Sequence, residues 1–169
     1  MNYSQISTEK LAYLAGIIDG EGSIYIGCYS SNKKTGMPHY QTVINICNTE
    51  ESLIDWLVLN FGGSRRSYTP NQTPKNSRRK VYSWNVWSKS LEEICQAIFP
   101  YIVIKKRELE IMIAIRKTFI PKIPTKTFGQ PKTPEDILAL RRSLYLELKS
   151  LHNRNYHNKP CAVSPSSLR

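Results

Sequence analysis

Two carboxylates stand at the end of a helical stretch near the N-terminus, and they are the first candidates for chemistry. Asp19 and Glu21 belong to residues 14–22, which read Leu-Ala-Gly-Ile-Ile-Asp-Gly-Glu-Gly. Two carboxylates that are brought close together repel each other unless a cation lies between them, and a hard divalent cation takes oxygen ligands. What these acids can do therefore depends on the elements that position them.

The surrounding residues predict a helix with a line of small side chains. Residues 8–20 contain no proline, and Ser7 is a suitable N-cap. Ala12, Gly16 and Gly20 follow each other at four-residue intervals, so they lie in one line along the helix. A glycine inside a helix costs about 0.8–1 kcal/mol relative to alanine. One interpretation is an ordinary core helix that ends at a glycine, and the other is a second helix packed closely against this line.

The charge of the chain favours a polyanionic partner. Its 169 residues carry a formal net charge of +11, with 40% hydrophobic and 22% charged residues, which is typical of one globular domain. Nucleic acid is the commonest partner of such an excess, and a basic organellar or ribosome-associated protein without sequence recognition is the alternative. The absence of a signal peptide and of an apolar run of about 18 residues argues against a secreted or membrane protein. The cysteines are far apart and lack a CxxC pair, which indicates neither a zinc site nor a disulfide framework.

Periodicity along the chain predicts an α+β fold. Alternation with a period of two indicates strands, and apolar residues at spacings of three and four indicate helices. After the first helix come two strands, a helix, two strands and further helices, which is the order αββαββα followed by C-terminal helices. We expect one domain over residues 1–153 and a tail over residues 154–169. The predicted strands cover residues 23–29, 39–47, 64–68 and 81–87, and the later helices begin near residues 50, 90, 105 and 135.

Pairing the first two strands gives a sheet with two different faces. One face is apolar, and the other carries tyrosine, amide and imidazole groups, among them Tyr25, His39 and Gln41. An ordinary solvent-exposed face more often carries lysine and glutamate. Hydrogen-bonding groups of this kind are suited to the edges of nucleic-acid bases.

Residues 14–22 resemble the signature motif of the LAGLIDADG homing endonucleases. Ile17 replaces a leucine that varies among hydrophobic residues in the family, Gly20 replaces a small residue, and Glu21 stands at the acidic position, where aspartate is commoner. The order of elements agrees with the fold of this family over about residues 8–120. The matching positions are Leu14, Ala15, Gly16, Ile18, Asp19 and Gly22.

The chain contains one copy of the motif, so the resemblance implies the single-motif type that works as a homodimer. It implies a metal-dependent endonuclease that is encoded within an intron and hydrolyses both strands of a long, roughly palindromic DNA target. Ala12, Gly16 and Gly20 would then form the dimer interface, and a curved antiparallel sheet in each subunit would form a DNA-binding saddle. We expect no small-molecule substrate, and we expect the host compartment to be an organelle (chloroplast or mitochondrion) or a prokaryotic cytoplasm.

The resemblance also assigns roles around the motif. Glu21 is implied to bind Mg²⁺, or another divalent cation such as Mn²⁺, with the carbonyl oxygen of Gly20 beside it. Asp19 is expected to have a structural, capping-like role. Asn48 matches a polar residue that orders water in the catalytic sites of the family, and its alternative role is to cap the following helix.

A lysine near the scissile phosphate is the other catalytic group that the resemblance implies. Lys105 matches it, with Lys106 as the competitor, and a Lys-Lys-Arg run is otherwise an ordinary solvated helix start. Some relatives have a further arginine in the helix after the second strand, where this chain has Glu-Glu-Ser at residues 50–52. Arg78 and Arg79 are the candidates to replace it.

DNA contacts are implied for the polar sheet face and for the basic loops. The residues expected to read bases are Ser23, Tyr25, Tyr29, His39, Gln41, Asn45, Arg65, Ser67, Ser83 and Asn85. The residues expected to hold phosphates are Lys33, Lys34, Arg78, Arg79 and Lys80. Each face assignment rests on alternation, so an error of one residue inverts it.

Other functions share parts of this pattern. A protein of the same fold that does not cleave DNA would be an RNA-splicing cofactor (a maturase) or a DNA-binding regulator. A basic organellar RNA-binding protein would need nothing special at position 21. The acid at Glu21 favours the endonuclease, because a non-catalytic relative can lose it.

Overall fold

Helices and strands follow the predicted order, and the α+β class is confirmed. The computed structural model describes residues 3–29, 37–69, 79–87, 89–119 and 133–152. Some of the predictions concern residues outside these ranges, namely Lys33, Lys34, Arg78 and the tail of residues 154–169. The strands are β1 (Gly22–Tyr29), β2 (His39–Asn48), β3 (Ser64–Tyr68) and β4 (Val81–Trp87). The helices are α1 (Thr8–Glu21), α2 (Glu51–Phe61), α3 (Lys89–Ile98), α4 (Lys106–Lys117) and α5 (Glu135–His152).

The four strands form one antiparallel sheet in the order β1-β2-β4-β3. The helices pack on the face that carries Ile24, Ile44 and Trp84, and these side chains are buried in the hydrophobic core. Leu14 and Ile18 of α1 belong to the same core. Because α1 leads directly into β1, the end of the motif is fixed at one corner of the sheet.

Two glycines shape the turn between α2 and β3. Gly62 and Gly63 have φ angles of 68° and 85°, a region that L side chains rarely adopt. A Cβ atom on Gly63 would also come within 2.8 Å of the Asn85 carbonyl oxygen. The indole nitrogen of the buried Trp84 donates a hydrogen bond to the Gly62 carbonyl oxygen at 2.7 Å. This turn therefore sets where β3 begins against β4.

The beginning of the chain is more ordered than its sequence suggests. The first six residues read as a mobile arm, but Tyr3–Gln5 form a 3-10 turn and the Tyr3 ring is buried in the core. The Tyr3 hydroxyl donates a hydrogen bond to the Phe61 carbonyl oxygen at 2.9 Å. That prediction is wrong for residues 3–6, because a buried phenol with a hydrogen-bond partner fixes the segment.

Helix α5 packs on the core through only part of its predicted apolar stripe. Its spacing predicts that Ile137, Leu140, Leu144, Leu148 and Leu151 face the core. Leu148 is buried and Leu144 packs against the core, whereas Leu140 and Leu151 are 48% and 43% exposed. Arg141 is buried instead, and its guanidinium donates to the hydroxyl and carbonyl oxygens of Thr118 at 2.9 and 2.7 Å. Thr118 ends α4, so the cation lies at the negative end of that helix dipole.

Candidate active site at the end of helix α1

Helix α1 ends where the backbone of Gly22 packs closely against the backbone of Ile18. The N–H of Gly22 donates to the carbonyl oxygens of Ile17 and Ile18. A Cβ atom at position 22 would lie 2.7 Å from the Ile18 Cα and carbonyl oxygen, so only glycine fits there. Gly22 has an extended backbone, which carries the chain straight into β1. Glu21 is therefore the last helical residue, and its side chain is exposed.

Asn48, at the end of β2, contacts Glu21 directly. The Asn48 side-chain nitrogen donates to a Glu21 carboxylate oxygen at 2.7 Å, and the Asn48 side-chain oxygen accepts from the Glu50 N–H at 2.8 Å. The alternative role of Asn48 as the N-cap of α2 is wrong, because Glu50 holds that position and accepts from Ser52. Asn48 nevertheless uses its oxygen to fix the turn before α2, which directs its amide nitrogen at the acid.

Lys105 lies at the same helix end. Its ammonium donates to the carbonyl oxygens of Ile18 and Gly22 at 2.7 and 2.6 Å. Carbonyls at the C-terminus of a helix carry partial negative charge, so they attract a cation. The ammonium of its competitor Lys106 lies over the ring of Phe99, 5.2 Å from the centroid. The structure therefore brings Lys105 to the motif by these two bonds.

Asp19 connects α1 to the segment that precedes α4. Its carboxylate accepts hydrogen bonds from the N–H groups of Val103, Ile104 and Lys105 at 2.8, 3.2 and 2.9 Å. Burial, the largest single influence, raises the pKa of this carboxyl, but the three N–H groups and the Lys105 charge together hold the pKa below its usual range. Asp19 thus caps the start of α4 from a distance, as its expected capping-like role requires, and holds Lys105 in place.

Asp19→Asn is expected to lower the free energy of unfolding by about 1–3 kcal/mol near pH 7, because an amide cannot satisfy all three donors. The pKa of Asp19 is lower in the folded chain than its reference value of 3.8. Its contribution is therefore present above that value and is lost as the pH falls through the folded pKa. Urea unfolding at several pH values should show the difference between wild type and variant shrinking below about pH 4. Glu135→Gln, an exposed change on α5, is the control, and a difference that does not vary with pH would contradict the assignment.

The small-residue line of α1 is exposed in the single chain. Ala12, Gly16 and Gly20 all lie on the surface, and a Cβ atom added to either glycine would meet no atom within 4 Å. The segment that Asp19 holds places two more apolar side chains nearby, with Val103 81% exposed and Ile104 74% exposed. Helix α1 is a core helix through Leu14 and Ile18 and ends at Gly22, but its small-residue line faces away from that core. A second helix packed against this line stays a prediction.

Solved structures share this arrangement of elements. The homing endonuclease I-CvuI, in complex with its target in the presence of Ca, has a TM-score of 0.67 over 90% of this chain and 88% of its own, at 16% identity. The archaeal intron-encoded homing endonuclease I-Vdi141I, complexed with DNA, has a TM-score of 0.66 over 90% of both chains, also at 16% identity. The LAGLIDADG homing endonuclease I-SmaMI, bound to cleaved DNA, has a TM-score of 0.56 over 80% of this chain and 42% of its own, at 17% identity. This chain has the LAGLIDADG homing endonuclease fold. No family sequence model and no curated protein sequence matches it.

The LAGLIDADG sheet of this chain turns one face away from the helices. Strand register places on this outward face the predicted Ser23, Tyr25, Tyr29, His39, Gln41, Asn45, Ser83 and Asn85. Asn45 and Asn85, directly opposite each other, are joined by a hydrogen bond of 2.8 Å between their side chains. Ser83 faces outward but is buried by its neighbours. The period-two assignment is therefore confirmed for β1, β2 and β4, and DNA contact by these side chains stays a prediction.

In β3 the predicted face is wrong by one residue. Arg65 and Ser67 are opposite Trp84 and Tyr82, so both face the helices. Arg65 forms ion pairs with two acids of α2, Glu51 and Asp55. It lies on the side of the sheet that packs on the helices, and its guanidinium is already bound.

The outward residues of β3 were missed because its sequence has no apolar alternation to reveal its parity. They are Ser64, Arg66 and Tyr68, and the same face also carries Trp87 of β4 and Val43 and Cys47 of β2. The turn at Gly62 and Gly63 and the Trp84 hydrogen bond to Gly62 fix this register. Among the described residues, the outward face carries no carboxylate. Of the predicted phosphate contacts, Arg79 and Lys80 are exposed where the chain enters β4.

The donors at the α1 end fit a hard cation in chemistry but are too few in one chain. The Glu21 carboxylate and the carbonyl oxygens of the last helical turn, including that of Gly20, are oxygen ligands of the kind that Mg²⁺ takes. Asp19 is occupied by three N–H groups. Within the described ranges, no three His, Cys, Asp or Glu side chains come together to hold a metal, and no helix is long and apolar enough to cross a membrane.

Proposed function

We propose that this chain is a sequence-specific, divalent-cation-dependent DNA endonuclease that acts as a homodimer on a long pseudo-palindromic target. One observation carries the proposal: Glu21 is exposed at the end of α1, beside a line of small residues that leaves room for a second helix. The DNA complexes of I-CvuI and I-Vdi141I, which share the fold, support the substrate class. The archaeal, intron-encoded I-Vdi141I supports a homing enzyme that is encoded by an intron.

A homodimer would complete the metal site. Packing two copies of α1 through Ala12, Gly16 and Gly20 about a two-fold axis would bring two Glu21 carboxylates together, one from each chain. I-SmaMI supports this arrangement by its length, because the present chain covers only 42% of it, as expected if a longer chain contains two such units. Val103 and Ile104 would extend the contact with apolar surface beside the small-residue line.

Each side chain at the α1 end has a defined task in phosphodiester hydrolysis. Glu21, with the carbonyl oxygen of Gly20, would hold Mg²⁺ or Mn²⁺. A bound divalent cation polarises the phosphoryl oxygen and lowers the pKa of water. Asn48 orients the Glu21 carboxylate through its 2.7 Å hydrogen bond. Lys105 places a positive charge at the same helix end, where it would stabilise negative charge developing on the phosphate.

The outward sheet face and the net charge suit a DNA duplex. The face offers hydroxyl, amide and imidazole groups without a carboxylate among its described residues, which favours contact with base edges between phosphate strands. A net charge of +11 per chain, doubled in a homodimer, predicts binding that weakens steeply with salt. Arg79 and Lys80 are proposed as phosphate contacts.

Cleavage of the host locus that lacks the intron tests the proposal. The purified protein should cut both strands of this DNA with Mg²⁺ or Mn²⁺ and should stop in EDTA. If the protein binds this DNA but does not cleave it with either metal, it is a DNA-binding regulator and the proposed nuclease activity is wrong. Binding of the intron RNA, with no binding of this duplex, would indicate a splicing cofactor.

A further inference from the structure

We propose that Arg66, held across Trp87 on the outward sheet face, reads one guanine in each half-site of the DNA target and so determines specificity. This inference rests on the proposed function. Arg66 lies opposite Ser83 in the β3–β4 register, on the face that turns away from the helices. It stands next to Arg65 in sequence, and alternation along the strand sends the two side chains to opposite faces.

The two neighbouring arginines have different surroundings. Arg65 is bound by Glu51 and Asp55 of α2, which occupy its planar fork of donors. Arg66 shares its face with side chains among which, in the described ranges, no carboxylate occurs. Its donors are therefore available for an acceptor that arrives with the DNA, whereas those of Arg65 are not.

Trp87 holds the Arg66 guanidinium over the neighbouring strand β4. The Arg66 guanidinium carbon lies 6.0 Å from the centre of the Trp87 ring, within the range of a cation–π contact. Trp87 is opposite Val43, and Val43 is opposite Tyr25 on β1, so this level of the sheet carries a row of aromatic and apolar side chains. Burial raises the pKa of the Tyr25 phenol, and the positive charge of Arg66 partly offsets this rise.

This position suits a base edge better than a phosphate. Arg66 originates on the edge strand β3, and its guanidinium lies over Trp87 of the neighbouring strand β4, whereas Arg79 and Lys80 lie where the chain enters β4. Arginine with an unoccupied fork bonds bidentately to O6 and N7 of guanine, the commonest specific contact in the major groove. In the free protein, Trp87 already restricts the conformations of the Arg66 side chain. Arg66 therefore loses less conformational entropy when it binds a base, and Trp87 acts as a positioning residue.

Selection from a library of partly randomised targets tests the proposal. The wild-type chain and the variants Arg66→Ala, Trp87→Leu, Trp87→Phe and Arg65→Ala would each select bound duplexes, which are then sequenced. Wild type should require guanine at one position in each half-site. Arg66→Ala should lose about 5- to 150-fold of that preference at this position alone. Trp87→Leu should weaken the same preference, Trp87→Phe should retain most of it, and Arg65→Ala should leave the base profile unchanged.

Two results would overturn the inference. Arg66→Ala could reduce affinity equally for all sequences and flatten the salt dependence, which would make Arg66 a phosphate contact. Alternatively, Arg65→Ala could remove the guanine preference while Arg66→Ala keeps it. Failure of the wild-type chain to select any duplex would instead contradict the proposed function, so the two failures are distinguishable. Thermal unfolding of each variant confirms that the sheet is intact.

Discussion

Glu21→Gln is expected to abolish DNA cleavage while DNA binding is retained. The change removes the negative charge that would hold the cation, and loss of about 4 kcal/mol of transition-state stabilisation corresponds to about a thousandfold in rate. Folding should be unaffected, because the side chain is exposed and the amide oxygen of glutamine can still accept the hydrogen bond from Asn48. Single-turnover cleavage with Mg²⁺, alongside a binding titration, gives the two quantities.

Two further variants sharpen this result. Glu9→Gln removes an exposed acid from the other end of the same helix and should cleave at the wild-type rate. Glu21→Asp keeps the charge on a shorter side chain and should be slowed less than Glu21→Gln. Cleavage by Glu21→Gln within a few fold of wild type would mean that this carboxylate does not hold the catalytic cation.

Gly16→Leu should convert the protein into a stable monomer that does not cleave DNA. Position 16 has open space where a Cβ atom would lie, so the single chain can accept the new side chain. Leucine also favours helix over glycine by about 0.8 kcal/mol, so the melting temperature of the monomer should not fall. A second helix packed against the line of small residues would meet a bulky side chain. Sedimentation velocity, thermal unfolding and cleavage measure the three effects.

The Gly16→Leu prediction is specific because dimerisation and cleavage should be lost while the melting temperature does not fall. A general loss of structure would lower stability and activity together, whereas an interface defect lowers only assembly and activity. Lys10→Leu is the matched control, since Lys10 is exposed on α1 but lies off the line of small residues. It should remain dimeric and active. A Gly16→Leu protein that still dimerises and cleaves would show that the two chains meet elsewhere.

The sequence predicted most of the sheet because its strands alternate strongly. In β1 and β2, isoleucines alternate with polar residues, so burial of one face decides the orientation of every side chain. β3 offers only Ser-Arg-Arg-Ser-Tyr, in which both parities look alike. Its register depends on the glycine turn and on the Trp84 hydrogen bond to Gly62, which are tertiary features.

At the candidate site the sequence indicated the groups but not how they contact each other. The motif indicated Glu21, and the resemblance to the LAGLIDADG family indicated Asn48 and Lys105. The structure brings all three side chains to the end of α1. The bond of Lys105 to the Ile18 carbonyl spans 87 residues, and no local pattern reveals such a contact. Asn48 was open between two roles, and the structure shows one side chain whose oxygen fixes a turn and whose nitrogen binds Glu21.

Mixing subunits tests the central claim, a symmetric pair of α1 helices that brings one Glu21 from each chain to a shared site. Wild-type and Glu21→Gln chains would be unfolded together, refolded at a constant total concentration, and assayed for both nicked and doubly cleaved DNA. If each active site needs both carboxylates, mixed dimers cut neither strand, so the total number of strand cuts should fall as the square of the wild-type fraction. A linear fall in strand cuts, with nicked DNA accumulating, would mean that one Glu21 is enough for each cut, and it would contradict the account.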